Sequence, residues 1–183
     1  MKSFPVLHTE RLILKKPTEE DIIPLLELSQ DEEVMEYFGV EPYKDEKQAR
    51  EEVEWFLKIW REDTGTRWIV SLKEDDALVG EIGFYDYKKK HRKAEIGYKL
   101  ARRHWRKGYM SEALTAMLDY IYSETDVNRV QALVDPRNPA SLRLLEKHGF
   151  RREGVLRDYE YERGAYVDLM MLSILRREWR PGS

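Results

Sequence analysis

The chain contains no cysteine and no apolar run approaching the roughly 20 residues of a membrane span. The first absence excludes disulfides, thiolate zinc sites, iron–sulfur clusters and a cysteine nucleophile together, and fits a reducing compartment. The second, with no signal-peptide core in Met1–Pro5, leads us to expect a cytoplasmic protein with no membrane partner. There is no internal repeat or low-complexity linker. There is also no GxxxxGK[ST] loop, no GxGxxG fingerprint and no GxSxG elbow. His8, His91, His104 and His148 lack metal-ligand spacing, so no metal is expected. Neither charge sign dominates: 32 Lys and Arg against 35 Asp and Glu give −3, which argues against general polyanion binding and a direct nucleic-acid partner.

What is present is a soluble-type composition, 42% hydrophobic and 37% charged over 183 residues, enough for one domain spanning 1–183 with a sizeable core. The charge is segregated. Between Thr18 and Glu54 acids outnumber bases 14 to 3, whereas Lys88–Lys107 holds ten Lys or Arg and one acid, Glu95. A basic island in an acidic chain points to a local anion site, the alternative for Lys88–Lys90 being a solvated loop.

Periodicity predicts a strand at Arg11–Lys15, stopped by Pro17, and a helix starting at Thr18, with Pro24 in its first turn. A second helix is predicted at about Asp45–Arg61, with Ala49, Val53, Phe56, Leu57 and Trp60 on one face. Alternation then predicts strands at Arg67–Leu72, Leu78–Tyr87 and Lys93–Ala101. A helix at Ser111–Tyr122, a strand at Arg129–Val134, a helix at Ser141–His148 and strands at Phe150–Tyr159 and Val167–Leu175 complete the order. That order implies a mixed α/β (α+β) domain with a mostly antiparallel sheet.

One strand-to-helix junction stands out. Leu100–Ser111 carries Arg102, Arg103, Arg106 and Lys107 around Gly108 at the start of an amphipathic helix. The first amides of a helix lack acceptors, its dipole is positive there, and glycine lets a ligand approach the backbone. A pyrophosphate suits such a turn, although a plain helix cap would read the same way.

Ala94–Leu100 followed by Trp105–Ala113 resembles motif A of the GCN5-related N-acetyltransferases (GNAT). Asn138–Ser141 with Leu144, Leu145, Lys147, Gly149 and Phe150 resembles that family's motif B. Thr9–Leu14 and Leu175–Trp179 resemble the ribosomal-protein N-acetyltransferase branch. The resemblance runs from about Leu7 to Trp179. Against the pattern [QR]xxGx[GA], Trp105 takes the first position, Gly108 the middle one and Met110 the last. It implies a seven-stranded sheet with about four helices, its central strands splayed for acetyl-CoA. The implied cofactor contacts are the amides of Arg106–Ser111, including Lys107, Gly108, Tyr109 and Met110, for the pyrophosphate. Tyr98, Leu100 and Ala101 would hold the pantetheine arm, Asn138 would bond it near the thioester, and Arg102, Arg103, Lys107 or Lys147 would meet the 3′-phosphate.

Acetyl transfer requires a neutral amine, a polarised carbonyl and a protonated leaving thiol. Glu95 is the candidate base, with a cross-strand ion pair as its alternative and Glu81 as the second candidate. The Tyr that many relatives use as acid is Leu145 here, which leaves Ser141, with an ordinary helix-cap role as its alternative. Amides at Leu100 or Ala101 are candidates to polarise the carbonyl. The acidic aromatic run Asp158–Glu162 either lines the acceptor site or is a solvated hairpin. The reading is thus an acetyl-CoA-dependent N-acetyltransferase acting on an amine acceptor, a protein N-terminus first and small amines second, as monomer or homodimer. Its competitors are a non-catalytic acyl-CoA-binding module and an RNA-binding protein. Acceptor specificity is expected in Asp31–Lys47 and Arg157–Tyr166.

Overall fold

The computed structural model describes residues 3–181. Met1, Lys2, Gly182 and Ser183, which the N-terminal and single-domain expectations include, lie outside the described residues. Eight strands form one sheet in the order β1-β2-β3-β4-β5-β6-β8-β7. They are β1 (Leu7–His8), β2 (Leu12–Lys15), β3 (Thr66–Leu72), β4 (Leu78–Lys88), β5 (Lys93–Leu100), β6 (Arg129–Val134), β7 (Arg151–Glu162) and β8 (Ala165–Leu175). The helices are α1 (Ile22–Gln30), α2 (Glu32–Met35), α3 (Glu46–Arg61), α4 (Tyr109–Glu124) and α5 (Pro139–Lys147). None of the described helices is long and apolar enough to cross a membrane.

The expected mixed, mostly antiparallel sheet is present, with two elements more than the resemblance implied. The eighth strand is β1, whose two residues pair with Ile13 and Leu14. It is too short to show a period. The fifth helix, α2, hides in an acidic stretch without apolar spacing; Asp31 caps it by accepting from the Glu33 amide at 3.0 Å. The final hairpin runs further than Tyr159, because Arg163 (φ 48°) and Gly164 (φ 83°) make a two-residue left-handed turn that lets β7 and β8 pair to Glu162↔Ala165.

Two cores clothe the two faces. Trp68 and Val70 of β3 point to α4, against Leu114, Met117, Leu118 and Ile121, while Ile69 between them packs with Leu25 of α1 and Phe56 of α3. A strand covered on both faces reads as an unbroken buried run, as β3 does. Of the predicted α3 face, Ala49, Val53 and Phe56 are buried and Ile59 joins them, whereas Leu57 and Trp60 are half-buried and Trp55 stays 39% exposed.

One feature of the sheet positions the site. β5 and β6 are its parallel neighbours, and they pair only at Lys93↔Arg129, Ala94↔Val130 and Glu95↔Gln131. β5 continues to Leu100 and β6 to Val134, yet no rung joins them beyond Glu95. On its other side β5 stays paired with β4 as far as Gly80↔Leu100. The sheet therefore opens into a fork, with one backbone edge of residues 96–100 free of its neighbour.

Candidate active site

The fork leads into the basic turn. After Leu100 a short 3₁₀ turn (Arg102–His104) reverses the chain, and Arg106 (φ 60°) and Gly108 (φ 81°) take left-handed conformations on either side of Lys107. α4 then begins at Tyr109, and the first bond back is from the Glu112 amide to the Gly108 carbonyl at 3.0 Å. Among the described residues the amides of 106–111 have no acceptor. Backbone of alternating hand at a helix start presents such amides as a concave anion site.

The expected cations around this turn separate. Lys147 is brought to it, its Nζ 3.5 Å from Ser111 Oγ. Arg106 and Lys107 are exposed on it. Arg102 is instead drawn to the acids of α2, within 3.4 Å of Asp31 and bonded to Glu33. Arg103 donates to His104 Nε2 at 3.1 Å and to the Leu78 carbonyl at 3.3 Å. Trp105 packs back on the strand end, its indole N–H donating to the Leu100 carbonyl at 2.7 Å. The Ala101 amide already donates to the Val79 carbonyl at 2.8 Å, which removes it as a donor to a substrate carbonyl and leaves Leu100 for that role.

Across the fork, α5 faces β5. Asn138 caps α5 by accepting from the Ser141 amide at 3.1 Å, so the Ser141 hydroxyl is not used as a cap. It lies 2.6 Å from the Tyr98 hydroxyl, and the two close the fork between strand and helix. Burial pushes the Tyr98 phenol up to about 12, against a smaller opposing effect of the Ser141 bond. His148 ties the far end of α5 to the first turn of α4, with Nδ1 2.8 Å from the Leu144 carbonyl and Nε2 3.1 Å from the Ser111 carbonyl.

Glu95 sits on the last rung before the fork. It accepts from the Tyr85 hydroxyl at 2.9 Å and from Gln131 Nε2 at 3.2 Å. No Lys or Arg among the described residues pairs with it, so the expected alternative, a cross-strand ion pair, is not formed. Burial, with Glu95 adjacent, raises the Tyr85 phenol well above its ordinary value. The second candidate, Glu81, is sealed instead. It is 0% exposed and bonded to Arg67, and burial drives its carboxyl up against the pull of Arg67 and Lys99. Arg67 runs along the floor left open by Gly83 and Gly97 and lies over Trp55, Phe56 and Tyr85.

The two segments expected to set acceptor specificity, Asp31–Lys47 and Arg157–Tyr166, meet. Arg163 Nη2, at the tip of the β7–β8 hairpin, donates to the carbonyls of Met35 and Val40, both at 2.6 Å. Burial and the neighbouring Glu160 raise the Glu162 carboxyl. The run Asp158–Glu162 lies wholly within β7 rather than in a loop, its exposed Tyr161 edge-on to Tyr166 at 5.1 Å.

Sequence reasoning missed the contacts that build the turn from outside. Arg11, Thr9 and Glu112 form a network against it, and Lys99, buried on the free half of β5, bonds Glu52 at 2.7 Å and Ser29 at 2.9 Å. The only available signal was a lone first-turn Glu112 on α4; Lys99 shares its strand face with Lys93, Glu95 and Gly97, so alternation gave no sign of its burial.

A forked sheet that ends on a helix-start turn sets a free strand edge beside a group of backbone amides without acceptors. The acetyltransferase (GNAT) domain family matches residues 11–151, and this chain belongs to that family. It is 39% identical over 173 residues to the uncharacterized N-acetyltransferase p20 of Bacillus licheniformis, covering 94% of this chain and 97% of that one. The [ribosomal protein uS5]-alanine N-acetyltransferase of Escherichia coli is 33% identical over 87 residues, 48% of this chain and 45% of that one. In fold the chain resembles the spermidine N-acetyltransferase of Vibrio cholerae solved with CoA and spermine: TM-score 0.80, 24% identity, 91% of this chain and 96% of that one. The chain is thus an acyltransferase of the GNAT family.

Proposed function

We propose that this protein moves the acetyl group of acetyl-CoA to a primary amine in a ternary complex, and that its acceptor is a protein N-terminal α-amine. The observation that carries the cofactor assignment is the continuity of two unsatisfied surfaces: the free edge of β5 from Ile96 to Leu100 runs into the acceptor-less amides of 106–111. An extended amide arm suits the first and a pyrophosphate the second. Lys147 and the exposed Lys107 supply charge for the remaining phosphate, and the Asn138 side-chain N–H₂, unused by its cap, is left to donate to the arm. The thioester supplies the activated acyl carbon; every other task belongs to this chain.

Glu95 lies where the fork opens and takes the proton of the acceptor ammonium through a water, which leaves the amine lone pair free to attack. The Leu100 amide polarises the carbonyl. As the new N–C bond forms and the C–S bond breaks, Ser141 gives its proton to the departing sulfur, and the second proton that the nitrogen sheds on becoming an amide restores the Ser141 hydroxyl through Tyr98, which ends as the neutral phenol. The two hydroxyls are 2.6 Å apart. The α-amine is favoured as acceptor because its ordinary pKa, near 8, leaves far more neutral amine at pH 7 than a lysine near 10.4. The relative named for uS5 alanine supports the same class.

The test is thiol release from acetyl-CoA with free N-terminal peptides, their N-acetylated forms and small amines. Turnover with free peptides that vanishes on N-acetylation is expected, together with a rise in melting temperature on adding acetyl-CoA. Turnover with small amines only would overturn the acceptor assignment. Thermal stabilisation without turnover on any amine would indicate a binding module, and neither response would remove the cofactor assignment.

A further inference from the structure

Arg11 lies far from the turn in sequence, yet its side chain is built into it. Its Nη1 donates to the Lys107 carbonyl at 2.9 Å, and its Nε and backbone N–H donate to Glu112 at 2.7 and 2.8 Å. Its guanidinium lies 4.5 Å from the centre of the Tyr109 ring. Thr9 adds a third donor to Glu112, at 2.5 Å. A Cβ on Gly108 would sit 3.3 Å from Arg11 Nη2, so a side chain there would crowd the guanidinium. We propose that Arg11 is a positioning residue for cofactor binding, setting the phosphate turn in its receptive shape; this rests on the acetyl-CoA reading above.

The physical reason lies in the peptide plane. A trans peptide points its C=O and its N–H to opposite sides. Holding the Lys107 carbonyl therefore commits the Gly108 N–H to the other side of the turn, away from Arg11. Of the flanking left-handed residues, Arg106 lies outside the helix and Gly108 is tied to it through its carbonyl, which leaves the Lys107–Gly108 peptide to be fixed by Arg11. Arg11 also answers an electrostatic problem. Glu112 stands in the first turn of α4, where a free carboxylate would repel an incoming phosphate. Burial raises its carboxyl, but the hydrogen bonds from Thr9 and from the backbone and side chain of Arg11 outweigh this and hold it below the ordinary range. A lone exposed ion pair does little. This one is anchored at four points: backbone, Nε, Nη1 and ring face. The Thr9-Glu10-Arg11 segment is thereby a strap from the sheet edge to the turn.

The experiment compares acetyl-CoA with acetyl-pantetheine, which keeps the thioester but lacks the pyrophosphate. For Arg11→Ala the KM for acetyl-CoA is expected to rise about tenfold, the scale of losing one or two charge-assisted hydrogen bonds. The kcat with acetyl-CoA and the kcat/KM with acetyl-pantetheine should stay within about twofold. Arg11→Lys, which keeps the charge and the stem but not the planar fork, should show most of the same rise and covers the case in which the alanine variant does not fold. Equal losses with both thioesters, or a wild-type KM in Arg11→Lys, would overturn the positioning role. Inactivity of the unaltered protein with both thioesters would instead overturn the acetyltransferase reading, and this assignment with it.

Discussion

Glu52→Ala should unfold this protein more readily than almost any other single polar substitution. Lys99 sits on the half of β5 that has lost β6 as a partner, with a side chain 0% exposed. Its ammonium is met by both Glu52 oxygens, at 2.7 and 2.9 Å, and by Ser29 Oγ at 2.9 Å, with the rings of Phe38 and Tyr43 4.9 and 5.3 Å away. Removing Glu52 leaves a buried cation with one neutral hydrogen bond, two ring faces and only the through-space pull of Glu81, itself bonded to Arg67, and breaking a buried pair from one side costs about 3–5 kcal/mol. For a chain of this length each kcal/mol lowers the melting temperature by about 2–4 °C, so a fall on the order of 10 °C is expected. The double variant Glu52→Leu/Lys99→Met removes both charges and should recover most of the loss, since apolar replacement of a whole buried pair is often neutral. Urea denaturation and melting curves of the two variants are the assay. A Glu52→Ala loss below about 1 kcal/mol would show that water already reaches the ammonium, and so would refute the argument that this pair anchors the free half of β5.

Three further outcomes are expected. Glu95→Gln should lower kcat about a hundredfold near neutral pH, with a smaller deficit as the acceptor amine deprotonates unaided and with unchanged acetyl-CoA binding; an unaltered pH–rate profile would take Glu95 out of the mechanism. Gly108→Ala places a side chain at φ 81°, a strain of about 1 kcal/mol, and crowds Arg11; melting should fall a few degrees while acetyl-CoA affinity drops by more, and equal affinities would show that the left-handed turn is not the phosphate site. The hydrogen bonds of Arg129 and then Ser173 hold the Glu153 carboxyl at about 2, below its ordinary 4.5. A depressed carboxyl contributes stability that is present above its ordinary value and lost as pH falls toward 2. Melting of Glu153→Gln should therefore depend less on pH between 5 and 3 than that of the unaltered chain, and parallel curves would count against the pairing.

Much of this was legible in residue order because it is local. The short apolar runs of β3 and β4, the alternation of β5 and β6, the apolar stripe of α4 and the Gly108 helix start are each set by neighbours a few residues apart, and the candidate anion turn needs only backbone handedness and nearby amides. The elements missed, β1 and α2, are too short to carry a period. The seal on Glu81, the turning away of Arg102 to Asp31 and Glu33, and the loss of the Ala101 amide to Val79 depend on partners from other strands and helices.

The chain's own order of residues thus determined the elements, the basic turn and the family. Only the tertiary structure decided where the β5–β6 ladder stops, which carboxylate reaches the opening, and that Arg11 and Glu112, some 101 positions apart, shape the turn together. The reason is range: helix starts and strand periods are governed by bonds within a few residues, whereas burial, pairing and strand divergence are settled by what the rest of the chain brings alongside.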